Sequence, residues 1–156
     1  MARIPYADTK SAAVKPLADR IVAERGSVLH LYQMLLNSPA VAEGWLNYLT
    51  AIRQKSSLNG AIREMVIMRV ALLNRAPYEA EQHAPIALRE GMSQAQLDAL
   101  SDWEQSPLFD ERERAVLAYT DAMTRNVQVP EGVFAAVSAH FEPQQLVELT
   151  ATVAAY

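Results

Sequence analysis

The sequence contains no cysteine. This absence excludes disulfides, zinc–thiolate and iron–sulfur sites, and any catalysis by a thiol. Glycine is scarce, with five residues in 156, and no glycine-rich phosphate loop or Gly-x-Ser-x-Gly elbow occurs. No apolar run approaches the ~20 residues that span a bilayer, and a basic-then-apolar secretory signal is missing from the N-terminus. We therefore expect a cytoplasmic protein.

Positive charge is also sparse. Only three lysines are present, the arginines are scattered, and the net charge is -4 at pH 7. Because duplex binding requires clustered Lys and Arg, we expect no nucleic-acid partner. Without an apolar run long enough to span a bilayer, we also expect no membrane partner. The expected partner is a small-molecule substrate. At 156 residues and 51% hydrophobic content, the chain is long enough to bury a core. We predict one domain over residues 1–156.

The apolar pattern is helical almost throughout, and no alternating stretch of strand length is evident. We predict an all-α fold of about seven to nine helices. Ser27, Ser93 and Asp110 are the predicted N-caps, Pro39 and Pro77 suit first helical turns, and Gly26 suits a C-terminal cap. The predicted helices cover 11–25, a segment after Ser27, 39–53, 61–74, 77–90, a short segment after Ser93, 111–125, 131–138 and 143–156.

A central antiparallel helix pair is predicted from residues 61–74 and 77–90. The first helix is apolar around much of its circumference, and the connection at 75–76 is short, so the two helices should be neighbours. Glu79 and His83 are four residues apart and share a face. Counted from the turn, Glu64 lies at a similar axial height, so it can approach both.

Such a cluster has the groups needed for general acid–base catalysis. Neighbouring carboxylates do not both ionise cheaply in a dry pocket, and histidine titrates near neutrality. Tyr78 can donate a hydrogen bond to a substrate oxyanion, and Arg63, Arg69 and Arg75 are candidates for gripping a carboxylate. The spacing of Glu79 and His83 equally fits a structural pair on a solvated helix.

A metal site is not expected. Two carboxylates and one imidazole can hold iron or manganese, but the Glu-x-x-His and His-Glu-x-x-His spacings are absent. The other histidines have simpler interpretations. His30 is predicted to be structural, and His140 to be a cap or a surface group.

Several short motifs together resemble a known family. They are Arg63-Glu64, Tyr78-Glu79-Ala80-Glu81-Gln82-His83, Gly91-Met92-Ser93, the segment 109–119 and Leu146-Val147-Glu148-Leu149. Over residues 29–156 the chain resembles the carboxymuconolactone decarboxylase family within the AhpD-like superfamily. The resemblance implies an all-helical homo-oligomer, a trimer or a hexamer. It also implies one of two chemistries: cofactor-free decarboxylation of a carboxymuconolactone in aromatic catabolism, or alkylhydroperoxidase activity through a Cys-x-x-Cys pair.

Matched to the peroxidase motif, the family histidine falls on His83 and the supporting glutamate on Glu64. The two cysteines fall on Ala76 and Glu79. Neither residue can form the thiolate, sulfenic acid or disulfide that a peroxiredoxin-type cycle requires. A redox role would need a thiol borrowed from a partner.

With the thiol chemistry excluded, the resemblance implies a lyase-like site that uses no cofactor. His83 would be the proton donor or base, Glu64 would orient it, and Glu79 would be a second acid–base group. Tyr78 would contact substrate, and Arg63 would either contact substrate or pair with Glu64. The alternative is a non-catalytic oligomer in which the Glu–His cluster only joins two helices.

Overall fold

A computed structural model describes residues 3–156. Within that range every regular element is helical, which confirms the all-α prediction. The α-helices are α1 (Lys15–Arg25), α2 (His30–Leu35), α3 (Pro39–Thr50), α4 (Gly60–Leu73), α5 (Pro77–Arg89), α6 (Gln94–Ala99), α7 (Glu111–Asn126), α8 (Glu131–Ser138) and α9 (Pro143–Ala155). A π-helical turn (Ala51–Lys55) follows α3, and a 3-10 turn (Leu100–Asp102) follows α6.

The chain divides into two compact units, Met1–Lys55 and Ser56–Tyr156. The domain assignment of 1–156 therefore stays a prediction. In the first unit, α1, α2 and α3 bury a small apolar cluster, to which Ile21, Leu36 and Leu46 contribute almost fully buried side chains.

Most helix ends follow from local sequence chemistry. Gly26 ends α1 with φ +83°, in the left-handed region that glycine adopts without strain. Ser93 and Asp110 both form the reciprocal hydrogen bonds of a capping box. The prediction that Ser27 caps α2 is wrong, because the helix begins at His30 and the residue at its N-cap position is Leu29, whose backbone is extended.

The second unit is built around α4, in which every residue from Ile62 to Ala71 is buried. It packs on α5, α7 and α9, so the central position predicted for it is confirmed. Asn59 caps its N-terminus by accepting a hydrogen bond from the Ile62 N–H at 3.2 Å. The return to α5 is tight, since the Ala76 N–H bonds to the Ala71 carbonyl at 2.8 Å.

A buried ion pair joins α4 to α7. Arg69 contacts Asp121 through two parallel hydrogen bonds, Nε to Oδ1 and Nη2 to Oδ2, each 2.6 Å long. Its Nη1 also donates to the Leu100 carbonyl at 2.8 Å. Because its N–H groups are hydrogen-bonded inside the core, Arg69 is not available to bind a substrate carboxylate. The prediction of Arg69 as a carboxylate-binding residue is wrong.

None of the helices described between residues 3 and 156 combines the length and the apolar character needed to cross a membrane.

Candidate active site

The centre of the site is a hydrogen bond between α4 and α5. Glu64 Oε2 lies 2.7 Å from His83 Nδ1, and only 1% and 5% of the two side chains are exposed. With Glu64 as the acceptor of this hydrogen bond, the proton is assigned to Nδ1. In a neutral imidazole the other nitrogen, Nε2, is then the basic one, because the partner of one ring nitrogen fixes the state of the other.

Glu79 lies on the opposite edge of the imidazole. Its Oε2 is 3.8 Å from His83 Nε2, too long for a hydrogen bond, and 34% of its side chain is exposed. It belongs to the first turn of α5, which begins at Pro77, where free N–H groups favour a carboxylate. The structure thus brings together Glu64, Glu79 and His83, with a buried carboxylate on one side of the ring and a partly exposed one on the other.

Arg63 is buried between two carboxylates. Its Nε donates to Glu64 Oε1 at 3.2 Å, and its Nη2 lies 3.5 Å from Glu90 Oε1. Of the two roles left open by the sequence, substrate contact or pairing, the structure shows the pairing contacts. Sequence reasoning missed Glu90. The signal was present, because in an antiparallel pair the end of α5 lies beside the start of α4.

Two tyrosines lie at different depths near the site. Tyr78 is 48% exposed, and on α5 it is five residues from His83, so the two do not share a helix face. Its role as a substrate contact stays a prediction. The ring of Tyr156 packs edge-on against the His83 ring, with centroids 5.1 Å apart and planes at 88°. Tyr156 was missed because nothing local links the chain end to α5.

The remaining candidates lie elsewhere. Arg75 is exposed in the turn after α4, with φ +54°. His30 is exposed and stacks on Tyr6 at a centroid distance of 5.1 Å. His140 lines an open cleft of about 420 Å³ with Trp103 and residues of α7 and α8. None of these three residues is among the contacts described for the Glu64–His83 pair.

Comparisons with known proteins agree with this architecture. A protein of unknown function from Agrobacterium tumefaciens, whose description names AhpD and antioxidant defence, superposes with a TM-score of 0.71 at 25% identity, covering 76% of this chain and 82% of that one. An uncharacterized peroxidase-related protein from Silicibacter sp. TM1040 gives 0.80 at 16% identity, covering 98% and 82%. The fold is therefore AhpD-like.

Sequence comparison then identifies the family. The profile described as "Carboxymuconolactone decarboxylase family" matches residues 39–122, more than half of the chain. The chain belongs to the carboxymuconolactone decarboxylase family, as a member without cysteine. The uncharacterized protein YnjA of Escherichia coli K12 is 34% identical over 112 residues, or 70% of this chain. The match spans 58% of YnjA, less than two thirds of its length.

Proposed function

We propose that the protein carries out cofactor-free acid–base catalysis on a small organic acid, either decarboxylation or related lactone chemistry. One observation carries the proposal: the buried 2.7 Å hydrogen bond between His83 Nδ1 and Glu64 Oε2, which leaves Nε2 facing a partly exposed Glu79. A histidine held in one tautomer by a buried carboxylate is a common general base, and its conjugate acid is a general acid.

The proposed steps use four side chains, those of His83, Glu64, Glu79 and Tyr78. In decarboxylation, the bond to the substrate carboxylate breaks, CO₂ leaves, and the electron pair passes into an enolate. The imidazolium form of His83 then gives its Nε2 proton to carbon, forming the new C–H bond, and the neutral imidazole that remains keeps its Nδ1–H on Glu64. Glu79, open to solvent on the Nε2 side, returns a proton from water to His83. Tyr78, half exposed near Glu79, is the proposed polar contact to substrate.

Thiol peroxidase activity is not proposed. The names of the structural neighbours refer to AhpD and to peroxidases, and those names describe those proteins. A thiol cycle passes through a thiolate, a sulfenic acid and a disulfide, each of which requires sulfur. The cysteine positions implied by the family motif are Ala76 and Glu79 in this chain.

A turnover screen tests the proposal. The panel consists of carboxylated lactones, β-keto acids and vinylogous acids, assayed with wild type, His83→Ala and Glu79→Gln. We expect turnover of at least one class and a loss of about 10²-fold or more in His83→Ala, the usual contribution of a general acid or base. Gln82→Ala changes an exposed neighbour on α5 and should leave the rate unchanged. Undiminished turnover by His83→Ala would sink the assignment.

A purely structural role is the second candidate, and one observation favours it. Both oxygens of Glu64 accept hydrogen bonds, one from Arg63 and one from His83, so the cluster also fastens α4 to α5. In that case the protein is a non-catalytic homo-oligomer. Wild type would then turn over nothing in the panel, while His83→Ala would still lose stability.

A further inference from the structure

We propose that Glu90 is a positioning residue that acts through Arg63 to hold Glu64 as an acceptor for the His83 Nδ1 proton. The inference rests on the acid–base role proposed for His83. Glu90 touches neither His83 nor the face where substrate would react, and it was not among the residues singled out by the sequence.

A continuous series of charged contacts leads from Glu90 to the imidazole. Glu90 Oε1 lies 3.5 Å from Arg63 Nη2, Arg63 Nε donates to Glu64 Oε1 at 3.2 Å, and Glu64 Oε2 lies 2.7 Å from His83 Nδ1. Exposure falls along the series, from 41% of the Glu90 side chain to 11% of Arg63 and 1% of Glu64. The buried end is therefore the one that solvent screens least.

The first residue of α4 supplies an independent observation. A β-carbon at Gly60 would overlap the carboxylate of Glu90. The φ of Gly60 is not in the left-handed region, so the constraint at this position is the space taken by the Glu90 carboxylate, the far end of a flexible side chain. Glycine is a weak helix former at such a position. Its presence is explained if the Glu90 carboxylate must lie across the start of α4, within reach of Arg63.

Arg63 contacts two carboxylates at once, Glu64 and Glu90, and we propose that Glu90 acts by competing with Glu64 for the guanidinium. With Glu90 present, one face of the guanidinium is occupied, and Glu64 keeps enough negative charge to hold the His83 proton on Nδ1. Without Glu90, Arg63 has only Glu64 to pair with and weakens its hold on the imidazole. The groups facing His83 are Glu64 from α4, Glu79 from α5 and the ring of Tyr156, with Arg63 behind Glu64.

The first test observes the imidazole directly. Two-bond ¹H–¹⁵N NMR spectra of the histidine rings report which nitrogen carries the proton, a point that heavy-atom geometry alone only assigns. We expect wild type to show the Nδ1–H tautomer of His83, and Glu90→Gln to show a measurable shift toward Nε2–H. Glu81→Gln, an exposed glutamate on the same helix, is the matched control. Identical His83 spectra in wild type and Glu90→Gln, or an equal shift in Glu81→Gln, would overturn the proposal.

The second test is a double-mutant cycle on stability. Gly60→Ala should displace the Glu90 side chain from Arg63, and because that side chain is flexible and partly exposed it should lower Tm by no more than about 2 °C. In a Glu90→Ala background the same change should be neutral or raise Tm, because the obstructing carboxylate is gone and alanine favours helix. Additive shifts would show that Glu90 does not occupy the space above Gly60, and the positioning role would fail.

These outcomes separate the inference from the proposed function. If wild type turns over no substrate but Glu90→Gln still moves the His83 proton, the acid–base reaction fails and the positioning contact stands. If wild type is active and Glu90→Gln leaves the ring spectra unchanged, the reaction stands and the role of Glu90 fails.

Discussion

Glu64 lies wholly inside the second unit, with Arg63 hydrogen-bonded to one of its carboxylate oxygens and His83 to the other. A buried charge of this kind is tolerated only when every lone pair that needs a partner has one. Removing the carboxylate also removes the acceptor that His83 Nδ1 and Arg63 Nε contact, and Arg63 then keeps only Glu90. Glu79 is in a different situation, because it is one third exposed and water can replace its contact with His83.

The contrast between these two glutamates gives a stability prediction. Glu64→Ala should lower the free energy of unfolding by about 3 kcal/mol, the usual result of breaking a buried pair. Glu79→Ala should change it by less than about 1 kcal/mol, as for exposed ion pairs. Urea unfolding followed by circular dichroism measures both. Equal losses of unfolding free energy in the two variants would mean that Glu64 contributes no more to stability than a surface carboxylate does.

The sequence was sufficient to pair Glu64 with His83, because helix rise and a short turn fix the relative height of residues on two neighbouring helices. It was not sufficient for Arg63, whose backbone direction is about 100° from that of Glu64 but whose long side chain bends back to reach it. The packing of Tyr156 on His83 was equally out of reach, since it depends on where α9 ends in three dimensions.

At the level of elements, two of the helix starts that were predicted correctly have a complete local capping signal. Ser93 is followed by Gln96, and Asp110 by Glu113, and both pairs close the reciprocal hydrogen bonds of a capping box. Ser27 had a suitable side chain but no such partner. Two apolar residues separate it from His30, where α2 begins, and the path of that segment is decided by packing rather than by capping.

Glu148 fastens α9 to the segment that leads into α4. Its Oε2 accepts hydrogen bonds from Ser56 Oγ at 3.0 Å, the Ser57 N–H at 2.9 Å and Ser57 Oγ at 2.8 Å. Gln144 donates to the other oxygen at 3.0 Å. Burial alone would raise the pKa of the Glu148 carboxyl, but these hydrogen bonds outweigh it and lower the pKa from 4.5 to about 2.

A pH dependence of stability follows from this depressed pKa. The folded protein holds the Glu148 proton less tightly than the unfolded chain does, so the stabilisation is fully present above pH 4.5 and is lost as pH falls through about 2. Glu148→Gln should lower the free energy of unfolding by about 1–3 kcal/mol at pH 7. The difference in unfolding free energy between the variant and wild type should become smaller as the pH falls from 4.5 to about 2. Urea unfolding at pH 7, 4 and 3, with Glu81→Gln as control, measures this difference. A difference in unfolding free energy that stays constant from pH 7 to pH 3 contradicts the prediction.

On the scale of the whole molecule, α8 leaves an unusual amount of apolar surface uncovered. Val137 is its only buried residue, while Phe134 is 43% exposed and Ala135 and Ala136 are also exposed. On α9, Val147 is 68% exposed. Clustered apolar surface of this kind is typical of subunit interfaces. We propose that the chain forms a homo-oligomer, a trimer or a hexamer, and that α8 contributes to its interface.

Light scattering coupled to size exclusion tests the assembly. Wild type should elute as a threefold or sixfold multiple of the 17.3 kDa chain mass. Phe134→Glu should shift the distribution toward single chains, because a charge buried at an interface is costly. Leu88→Glu, which changes an exposed leucine on α5, should not. A wild-type mass of one chain contradicts the assembly, and equal shifts in both variants contradict the role of α8.

The start of α5 has a consequence for how this family changes over evolution. Ala76 is the N-cap of that helix, and Glu79 lies in its first turn, one turn before His83 and on the opposite side of the His83 ring from the buried Glu64. In the resemblance described above, these are the positions that match the two cysteines of the peroxidase motif. On the function proposed above, two substitutions at one helix start are enough to replace sulfur chemistry by proton chemistry while the fold and the Glu–His pair are kept. The fold alone therefore does not determine which of these reactions a protein of this family performs.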